Sequence, residues 1–290
     1  MRKLSKALMA MAMAAYPLGG MLAKPTLYIC GDSTMANYAT DGSTPTRGWG
    51  QYFGTFFNSD IDVINYGKGG MDVQNFYYSA GYWPAIKAKL QPGDYVLMQF
   101  AHNDEKNDGM DGRELKAYYE SIGDTKAAAA VDLRGSVPTG SYVNTFSKLV
   151  DEVRELGAIP VFATPICRMY FNNGDIRRNG RHDLGDKFSV LTENGPTTGH
   201  SVPANDHTMD YTYQMIKLAG EKEVQYIDMT QDTRELFLMY GDARCHAILS
   251  DGDGSTHLSV AGAALIARRA AGLMQEKDIL SEYINLGDAA

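Results

Sequence analysis

Cysteine, positive net charge and long apolar runs are scarce in this chain, and each shortage excludes a class of protein. Three cysteines occur in 290 residues, none at metal-ligand spacing, so no zinc site is expected and at most one disulfide, for which Cys167 and Cys245 are candidates. Lysine and arginine number 27 against 35 aspartates and glutamates, and the net charge of -8 argues against a nucleic-acid partner. Beyond residue 23 no stretch is long enough to span a bilayer. The length suits one large domain with a substantial core, or at most two small domains.

The first 23 residues have the layout of a secretory signal peptide. Cations within the first six residues precede an uncharged stretch, 7–23, that is rich in Ala, Met and Leu and ends in small residues. Pro17 and the glycines at 19–20 make this stretch a poor membrane-spanning helix. We therefore predict cleavage after Ala23, a single mature domain of residues 24–290 and a periplasmic or secreted location. An uncleaved anchor or a disordered leader is the alternative.

Short apolar runs alternate with segments of helical periodicity along the rest of the chain. Five such runs predict buried strands, at 27–30, 61–65, 95–100, 159–163 and 224–227. Apolar residues spaced three and four apart predict helices over 142–156, 211–219 and 261–274. This alternation predicts an α/β fold with a central five-stranded parallel sheet covered by helices on both faces. Two long stretches, 105–141 and 168–207, are predicted to be irregular and to surround a site at the carboxyl ends of the strands.

The segment Gly31-Asp32-Ser33-Thr34 follows the first apolar run directly. A sharp turn at the end of a buried strand points its serine into the space above the carboxyl edge of the sheet, where ligands bind in open α/β folds. Gly-Asp-Ser is also ordinary turn chemistry. The serine is therefore a candidate nucleophile only in combination with other segments.

Three later segments supply the other groups that a serine hydrolase requires. A glycine-rich segment ending at Gly70 follows the second strand and can expose a backbone N–H to a ligand, or form a simple turn. Asn103, after the third strand, can offer its side-chain amide to an oxyanion or cap the next segment. His257, in a loop rich in aspartate and glycine before the last helix, is a candidate general base or a solvated loop residue.

Ser33, Gly70, Asn103 and His257 occur in the chain order of the four blocks of the SGNH hydrolases, also called GDSL esterases, and the chain resembles that superfamily. It is most similar to the rhamnogalacturonan acetylesterase-like branch, through further stretches at 31–35, 99–106, 134–138, 163–166 and 256–259. The resemblance implies a three-layer, flavodoxin-like α/β/α sandwich. It also implies a carbohydrate O-acetylesterase that uses no metal or cofactor, and we expect a monomer.

The resemblance also implies roles for these residues. His257 would take the proton of Ser33, whose hydroxyl attacks the ester carbonyl. The backbone N–H groups of Ser33 and Gly70 and the side-chain amide of Asn103 would hold the oxyanion. His257 would then return the proton to the sugar oxygen, and hydrolysis of the acyl-enzyme would release acetate.

The chain departs from the family pattern at the acid of the triad. The family has this acid three residues before the histidine, where Gly254 stands here. We take Asp253 as the residue that orients His257, with Asp251 or a backbone carbonyl as alternatives. The third block has Ala101 in place of the usual glycine, which would strain the backbone if its φ were positive.

Arginines after the fourth strand suggest an acidic substrate. Arg168, Arg177 and Arg178 are candidate contacts for the carboxylate of galacturonate in pectin, and His102 is a candidate wall of the substrate pocket. Surface charge balanced by nearby aspartates is the alternative interpretation of the arginines. We predict an exported esterase that deacetylates rhamnogalacturonan. Alternatives are an acetylesterase for another carbohydrate such as xylan, and a catalytically silent glycan-binding protein.

Overall fold

The computed structural model describes residues 24–252 and 254–287, so the predicted signal peptide lies outside the described residues. Nine strands are described: β1 (Thr26–Gly31), β2 (Asp62–Asn65), β3 (Tyr95–Gln99), β4 (Ile159–Ala163), β5 (Phe171–Asn172), β6 (Asp175–Ile176), β7 (Phe188–Thr192), β8 (Gly195–His200) and β9 (Gln225–Ile227). The central sheet has five parallel strands in the order β2-β1-β3-β4-β9. These are the five strands that the apolar runs predict.

Ten α-helices are described: α1 (Gly50–Phe53), α2 (Val73–Tyr78), α3 (Trp83–Lys87), α4 (Gly112–Ser121), α5 (Thr125–Ala130), α6 (Val143–Glu155), α7 (Tyr211–Glu221), α8 (Met229–Tyr240), α9 (Asp242–Arg244) and α10 (Val260–Glu276). The three helices predicted from periodicity correspond to α6, α7 and α10. Their ends lie within a few residues of the predicted ones, which is the usual uncertainty of helix boundaries.

The sheet is buried on both faces. In β1, Leu27 and Ile29 enter one hydrophobic core, and Tyr28 and Cys30 enter the other. Helices α1, α8 and α10 pack on the first face, while α2, α3, α6 and α7 pack on the second. A parallel strand with two buried faces is apolar at nearly every position, which is why its sequence has no alternation. The predicted three-layer α/β/α sandwich is confirmed.

The prediction that 105–141 and 168–207 are irregular is wrong. The first stretch contains α4 and α5, whose N-terminal N–H groups are capped by the side chains of Asp111 and Asp124. The second contains two antiparallel pairs, β5–β6 and β7–β8. Between β5 and β6, Asn173 and Gly174 have φ of 49° and 80°. An Asn-Gly pair with positive φ at both residues is a strong hairpin signal, and the strands of two residues beside it are too short to show a pattern.

All three cysteines are buried free thiols, so Cys167 and Cys245 do not form the disulfide that the sequence allowed. The Cys167 thiol contacts the backbone oxygen of Thr230 at 3.2 Å, and the Cys245 thiol contacts that of Phe237 at 3.4 Å. No helix within the described part of the chain has the length and apolar character needed to cross a membrane.

Candidate active site

Ser33 stands in a tight turn at the carboxyl end of β1. The carboxylate of Asp32 accepts hydrogen bonds from the backbone N–H and the hydroxyl of Thr34, both at 2.8 Å. The backbone N–H of Met35 returns to the carbonyl of Asp32 at 3.1 Å. Gly31 leaves no room for a side chain, because a Cβ there would lie 2.4 Å from the sulfur of Met35. The turn therefore leads the chain sharply out of the sheet and leaves Ser33 partly exposed at its edge.

His257 lies beside this serine although 224 residues separate them in sequence. Its Nε2 is 3.0 Å from the Ser33 hydroxyl, which is within reach for proton transfer. The histidine is held by backbone pairing on both sides. Its carbonyl accepts from the N–H of Asp251 at 3.2 Å, and the carbonyl of Leu258 accepts from the N–H of Arg47 at 2.8 Å.

The group that orients the His257 ring remains a prediction. Asp253, the residue chosen from the sequence, lies outside the described residues. Asp251, the alternative, accepts a hydrogen bond from the Thr46 hydroxyl at 2.7 Å through one carboxylate oxygen. Asp251 also donates its backbone N–H to the carbonyl of His257, so it helps to fix the backbone of the loop that carries the histidine.

The glycine-rich turn after β2 packs against the serine. The N–H of Lys68 donates to the carbonyl of Gly31 at 2.9 Å, and a Cβ placed on Gly69 would lie 4.0 Å from the Cβ of Ser33. Gly70 has a φ of 76°, which a residue with a side chain adopts only under strain. Among residues 24–252 and 254–287 no acceptor pairs with the backbone N–H of Ser33 or of Gly70. Both N–H groups are thus available to a ligand.

Asn103 is buried and lines the cleft next to Ser33. Its Nδ2 donates one hydrogen to the carbonyl of Met71 at 3.0 Å, and its Oδ1 accepts from Nη1 of Arg134 at 3.3 Å. In the described structure no acceptor takes the second amide hydrogen. Ala101, which replaces the usual glycine of this block, is absent from the residues with positive φ, so the substitution causes no backbone strain there.

A polar cleft of about 580 Å³ brings the predicted residues together. Ser33, Asn103 and His257 line it with His102, Arg168 and further residues: Glu105, Lys106, Tyr170, Asn179, Leu184, Gly254, Ser255 and Thr256. A second cavity of about 590 Å³ adjoins it, since Asn179 and Leu184 line both. The volume of the first cleft is within the range of small-ligand sites.

The predicted arginines divide between these two cavities. Arg168 lies in the first, but it is buried and its guanidinium is bound by Glu105 at 2.6 Å and by the carbonyl of His102 at 3.1 Å. Arg177 and Arg178 line the second cavity and not the first, and Arg178 is paired with the carboxylate of Asp183 at 2.7 Å. Neither Arg168 nor Arg178 therefore offers an uncompensated positive charge.

His102 belongs to a buried polar cluster behind Ser33. Its Nδ1 lies 2.9 Å from a carboxylate oxygen of Asp32, and burial lowers the pKa of His102 to about 4 because it disfavours the imidazolium. Burial alone would raise the pKa of Asp32, but the attraction and hydrogen bonds of His102 and the hydrogen bonds of Thr34 outweigh it and lower this pKa. At neutral pH a neutral His102 thus donates from Nδ1 to an ionised Asp32.

Sequence reasoning missed the partners that hold this cluster. The ring of His182 packs edge-on against that of His102 at 4.5 Å between centroids, and its Nδ1 lies 2.6 Å from Glu105. Glu105 therefore bridges His182 and Arg168 from inside the domain. Arg168 lies 63 positions and His182 77 positions from Glu105 in the chain, and no local sequence pattern indicates pairs at such separations.

Two further carboxylates, Asp72 and Asp104, lie buried behind Gly70 and Asn103. Asp72 accepts from the backbone N–H of Gly135 at 3.1 Å, and Asp104 accepts from the Ser136 hydroxyl at 2.8 Å. Burial raises the pKa of Asp72 to about 6 and that of Asp104 well above its usual range. Within residues 24–252 and 254–287 no cluster of three or more histidine, cysteine or acidic side chains is arranged to hold a metal ion.

The Ser33 hydroxyl lies 3.0 Å from the His257 imidazole, and the backbone N–H groups of Ser33 itself and of Gly70 are unpaired among the described residues. This arrangement defines a site of the serine-hydrolase type. The chain belongs to the GDSL-like lipase/acylhydrolase family, whose model matches residues 29–265. The family resemblance carried by the four blocks is confirmed.

Two curated relatives from Bacillus subtilis (strain 168) are similar over most of the chain. The rhamnogalacturonan acetylesterase RhgT is 28% identical over 271 residues, which cover 88% of this chain and 92% of RhgT. The probable rhamnogalacturonan acetylesterase YesY is 26% identical over 245 residues, covering 83% of this chain and 88% of YesY.

Solved structures agree on the fold. The structure of Bacillus subtilis YxiM superposes with a TM-score of 0.63 at 22% identity, covering 88% of this chain and 57% of the YxiM chain. This chain thus spans little more than half of YxiM. A mutant of Axe2, an acetyl-xylooligosaccharide esterase from Geobacillus, superposes with a TM-score of 0.50 at 20% identity, covering 84% of this chain and 91% of that one.

Proposed function

We propose that this protein is a carbohydrate O-acetylesterase that acts on acetylated rhamnogalacturonan. The observation that carries the proposal is the 3.0 Å contact between Ser33 Oγ and His257 Nε2 at a polar cleft. Similarity to RhgT and YesY over most of the chain supports a sugar acetate as the ester. The polar walls of the cleft suit a sugar better than a long acyl chain.

The proposed reaction uses only groups that the site holds. His257 takes the proton of Ser33, and the serine oxygen adds to the acetyl carbonyl to form a tetrahedral oxyanion. The N–H groups of Ser33 and Gly70 and the free amide hydrogen of Asn103 stabilise it, each contributing roughly 10²–10³ in rate. The C–O bond to the sugar then breaks as His257 protonates the leaving oxygen. Water, activated by the same imidazole, cleaves the acyl-enzyme and releases acetate.

The second cavity supports an acidic polysaccharide as substrate. Of its four acidic side chains three are in ion pairs, Asp175 with Arg234, and Asp183 and Asp186 with the same Arg178, while Asp108 accepts a hydrogen bond from the Ser189 hydroxyl. The side chains of Arg177 and Lys187 have no hydrogen bond or ion pair with any described residue. A chain that extends from Ser33 past Asn179 would therefore meet uncompensated cations, and galacturonate supplies the matching carboxylates.

The esterase assignment is tested with p-nitrophenyl acetate. Wild type should hydrolyse it, and Ser33→Ala should lose at least about 10³-fold in kcat because the nucleophile is removed. A fluorophosphonate should label Ser33 in the wild type only. Hydrolysis that survives Ser33→Ala would show that Ser33 is not the nucleophile. If the wild type binds glycan but releases no acetate, the protein is a glycan-binding protein and not an esterase.

The substrate assignment requires a comparison of polysaccharides. Acetate release should be faster from acetylated rhamnogalacturonan than from uronate-free acetylated xylooligosaccharide, and reduction of the pectic carboxyls should slow it. The double variant Arg177→Gln/Lys187→Gln should raise KM for the pectic substrate several-fold and leave turnover of p-nitrophenyl acetate unchanged. Lys126→Gln, an exposed lysine on α5, is the matched control. Equal or faster release from xylooligosaccharide would overturn the pectic assignment.

We also propose that the protein is exported and that residues 1–23 are removed. The charged start, uncharged stretch and small residues before Lys24 support this. N-terminal sequencing of protein recovered from the periplasm or medium of its host should begin at Lys24. An intact N-terminus on protein found only in the cytoplasm would contradict export.

A further inference from the structure

Arg134 reaches the candidate oxyanion hole from a distant loop. Its Nη1 donates to Oδ1 of Asn103 at 3.3 Å, and a Cβ placed on Gly70 would lie 3.5 Å from the same nitrogen. The guanidinium therefore binds one of the three groups proposed to hold the oxyanion, Asn103, and lies near a second, Gly70. Arg134 is 31 residues from Asn103 in sequence, and it does not line the cleft itself.

The guanidinium is held in place by a carboxylate. Asp132 accepts from Nε of Arg134 at 2.9 Å and from Nη2 at 2.6 Å, so its two carboxylate oxygens bind the edge of the guanidinium that carries Nε and Nη2. This two-point contact leaves Nη1 to face Asn103. A planar donor fixed at two points has little freedom to rotate, which is the property that distinguishes arginine from lysine at such sites.

The backbone of the loop is fixed as well. The Asn107 side chain donates to the carbonyls of Asp132 and Arg134 at 2.9 and 2.7 Å. The N–H of Gly135 donates to the buried carboxylate of Asp72 at 3.1 Å, and Gly135 has a φ of 109° that strongly favours glycine. The backbone segment that carries Arg134 is thus fixed by hydrogen bonds, and the fold determines the position of Arg134 relative to Asn103.

An asparagine amide can be turned by half a rotation so that oxygen and nitrogen exchange places. At Asn103 two contacts oppose that exchange, because Arg134 requires an acceptor and the carbonyl of Met71 requires a donor. In the observed orientation Nδ2 keeps one hydrogen free on the cleft side. The cationic guanidinium that donates to the amide oxygen also polarises the amide and makes its N–H groups better donors.

We propose that Arg134 is a positioning residue of the oxyanion hole, which acts through Asn103 by fixing and polarising its amide. The inference rests on the proposed esterase function. A charge-assisted hydrogen bond changes an equilibrium by roughly 10- to 100-fold. Since Met71 still holds the amide when Arg134 is removed, we expect a loss near the lower limit of that range.

The test is a double-mutant cycle on p-nitrophenyl acetate hydrolysis. Arg134→Met should lower kcat about ten-fold and leave KM within two-fold, because the amide acts on the transition state. Asn103→Ala should lower kcat roughly 10²–10³-fold. In the Asn103→Ala background, Arg134→Met should cost less than about two-fold further, since its target is gone. Arg154→Met, on an exposed part of α6, is the matched control.

The outcomes separate the alternatives. An equal ten-fold loss in both backgrounds, or a loss confined to KM, would show that Arg134 acts on the substrate or elsewhere and would overturn the inference. If Arg134→Met does not fold, Asp132→Asn provides the same cycle, because it releases the guanidinium without removing it. Arg134→Lys should restore less than half of the lost activity, because a lysine cannot bind Asp132 and Asn103 together.

A readout without catalysis keeps this inference distinct from the esterase assignment. The side-chain amide of Asn103, identified in a ¹H–¹⁵N spectrum through Asn103→Ala, should exchange its hydrogens faster with solvent in Arg134→Met than in the wild type. If the wild type hydrolyses no ester but the amide of Asn103 exchanges faster in Arg134→Met, the proposed esterase function is wrong and the positioning role of Arg134 is supported. If exchange is unchanged, the positioning role fails whatever the activity.

Discussion

Acidification should destabilise this protein through His102. The His102 side chain is 3% exposed, and its Nδ1 donates to the ionised Asp32 at 2.9 Å. Burial disfavours the imidazolium and lowers the pKa of His102 from 6.5 to about 4. The unfolded chain therefore binds a proton at this residue at a higher pH than the folded chain. Between pH 6.5 and 4 the free energy of unfolding falls as the pH falls.

The size of the effect follows from the shift. One pKa unit corresponds to about 1.4 kcal/mol, so a shift from 6.5 to about 4 makes the loss about 3 kcal/mol over the whole window. The lowered pKa of Asp32 adds a further loss at still lower pH, where that carboxylate becomes protonated. A stability of about 5–15 kcal/mol is typical of a native protein, so this term alone is a substantial fraction.

The assay is urea unfolding at pH 7.5 and 4.5 for the wild type and His102→Gln. The glutamine amide can still donate to Asp32 but takes up no proton. The wild type should lose about 2–3 kcal/mol more than the variant between the two pH values, since the contributions of other titrating groups cancel in the comparison. His200→Gln, on the exposed strand β8, is the control and should keep the wild-type pH dependence. Equal pH dependence in wild type and His102→Gln would refute the reasoning.

Three further changes test other parts of the site. Gly70→Ala should lower kcat at least about ten-fold and destabilise the fold by about 1 kcal/mol, because φ is 76° there; unchanged kinetics and thermal unfolding would contradict this. Glu105→Gln should lower the free energy of unfolding in urea by about 3–5 kcal/mol, because it leaves the Arg168 guanidinium buried without a charged partner. A loss below about 1 kcal/mol would argue against the pairing of Glu105 with Arg168. The raised pKa of Asp104 gives stability that is present at low pH and lost as the pH rises from the usual aspartate range through that pKa. In urea unfolding, Asp104→Asn should therefore flatten the decline of the unfolding free energy with rising pH, and an unaltered decline would contradict the raised pKa.

The parts of the molecule that the sequence predicts well share one physical property. A parallel strand buried on both faces is a continuous apolar run, and the end of the run marks the edge of the sheet. Ser33 and Asn103 come within four residues of the ends of β1 and β3, so their convergence could be predicted from topology alone. His257 is a candidate general base from its loop alone, but its position beside Ser33 could be predicted only through the family resemblance, since no strand of the central sheet ends directly before that loop.

The parts that escaped prediction depend on contacts between distant residues. Arg168 and Arg178 are cations in sequence, but the carboxylates of Glu105 and Asp183 compensate them in the fold. Charge composition cannot distinguish a compensated arginine from a free one, because the partner is chosen by packing. The same applies to Arg134, whose stretch contributed to the resemblance while its contact with Asn103 appears only in the structure.

Long-range contacts also determine the charge next to the proposed oxyanion hole, on the side chains of Asp72, Asp104 and Arg134. Two carboxylates, Asp72 and Asp104, lie close to the groups proposed to stabilise a developing negative charge, and full ionisation of both would oppose that role. Burial raises the pKa of Asp104 well above its usual range and so favours its neutral form. Asp72, with a pKa of about 6, ionises as the pH rises through that value, and the guanidinium groups of Arg113 and Arg134 offset that charge. Loss of Arg134 should therefore reduce turnover more above pH 6 than below it, whereas loss of Asn103 should reduce it equally at both.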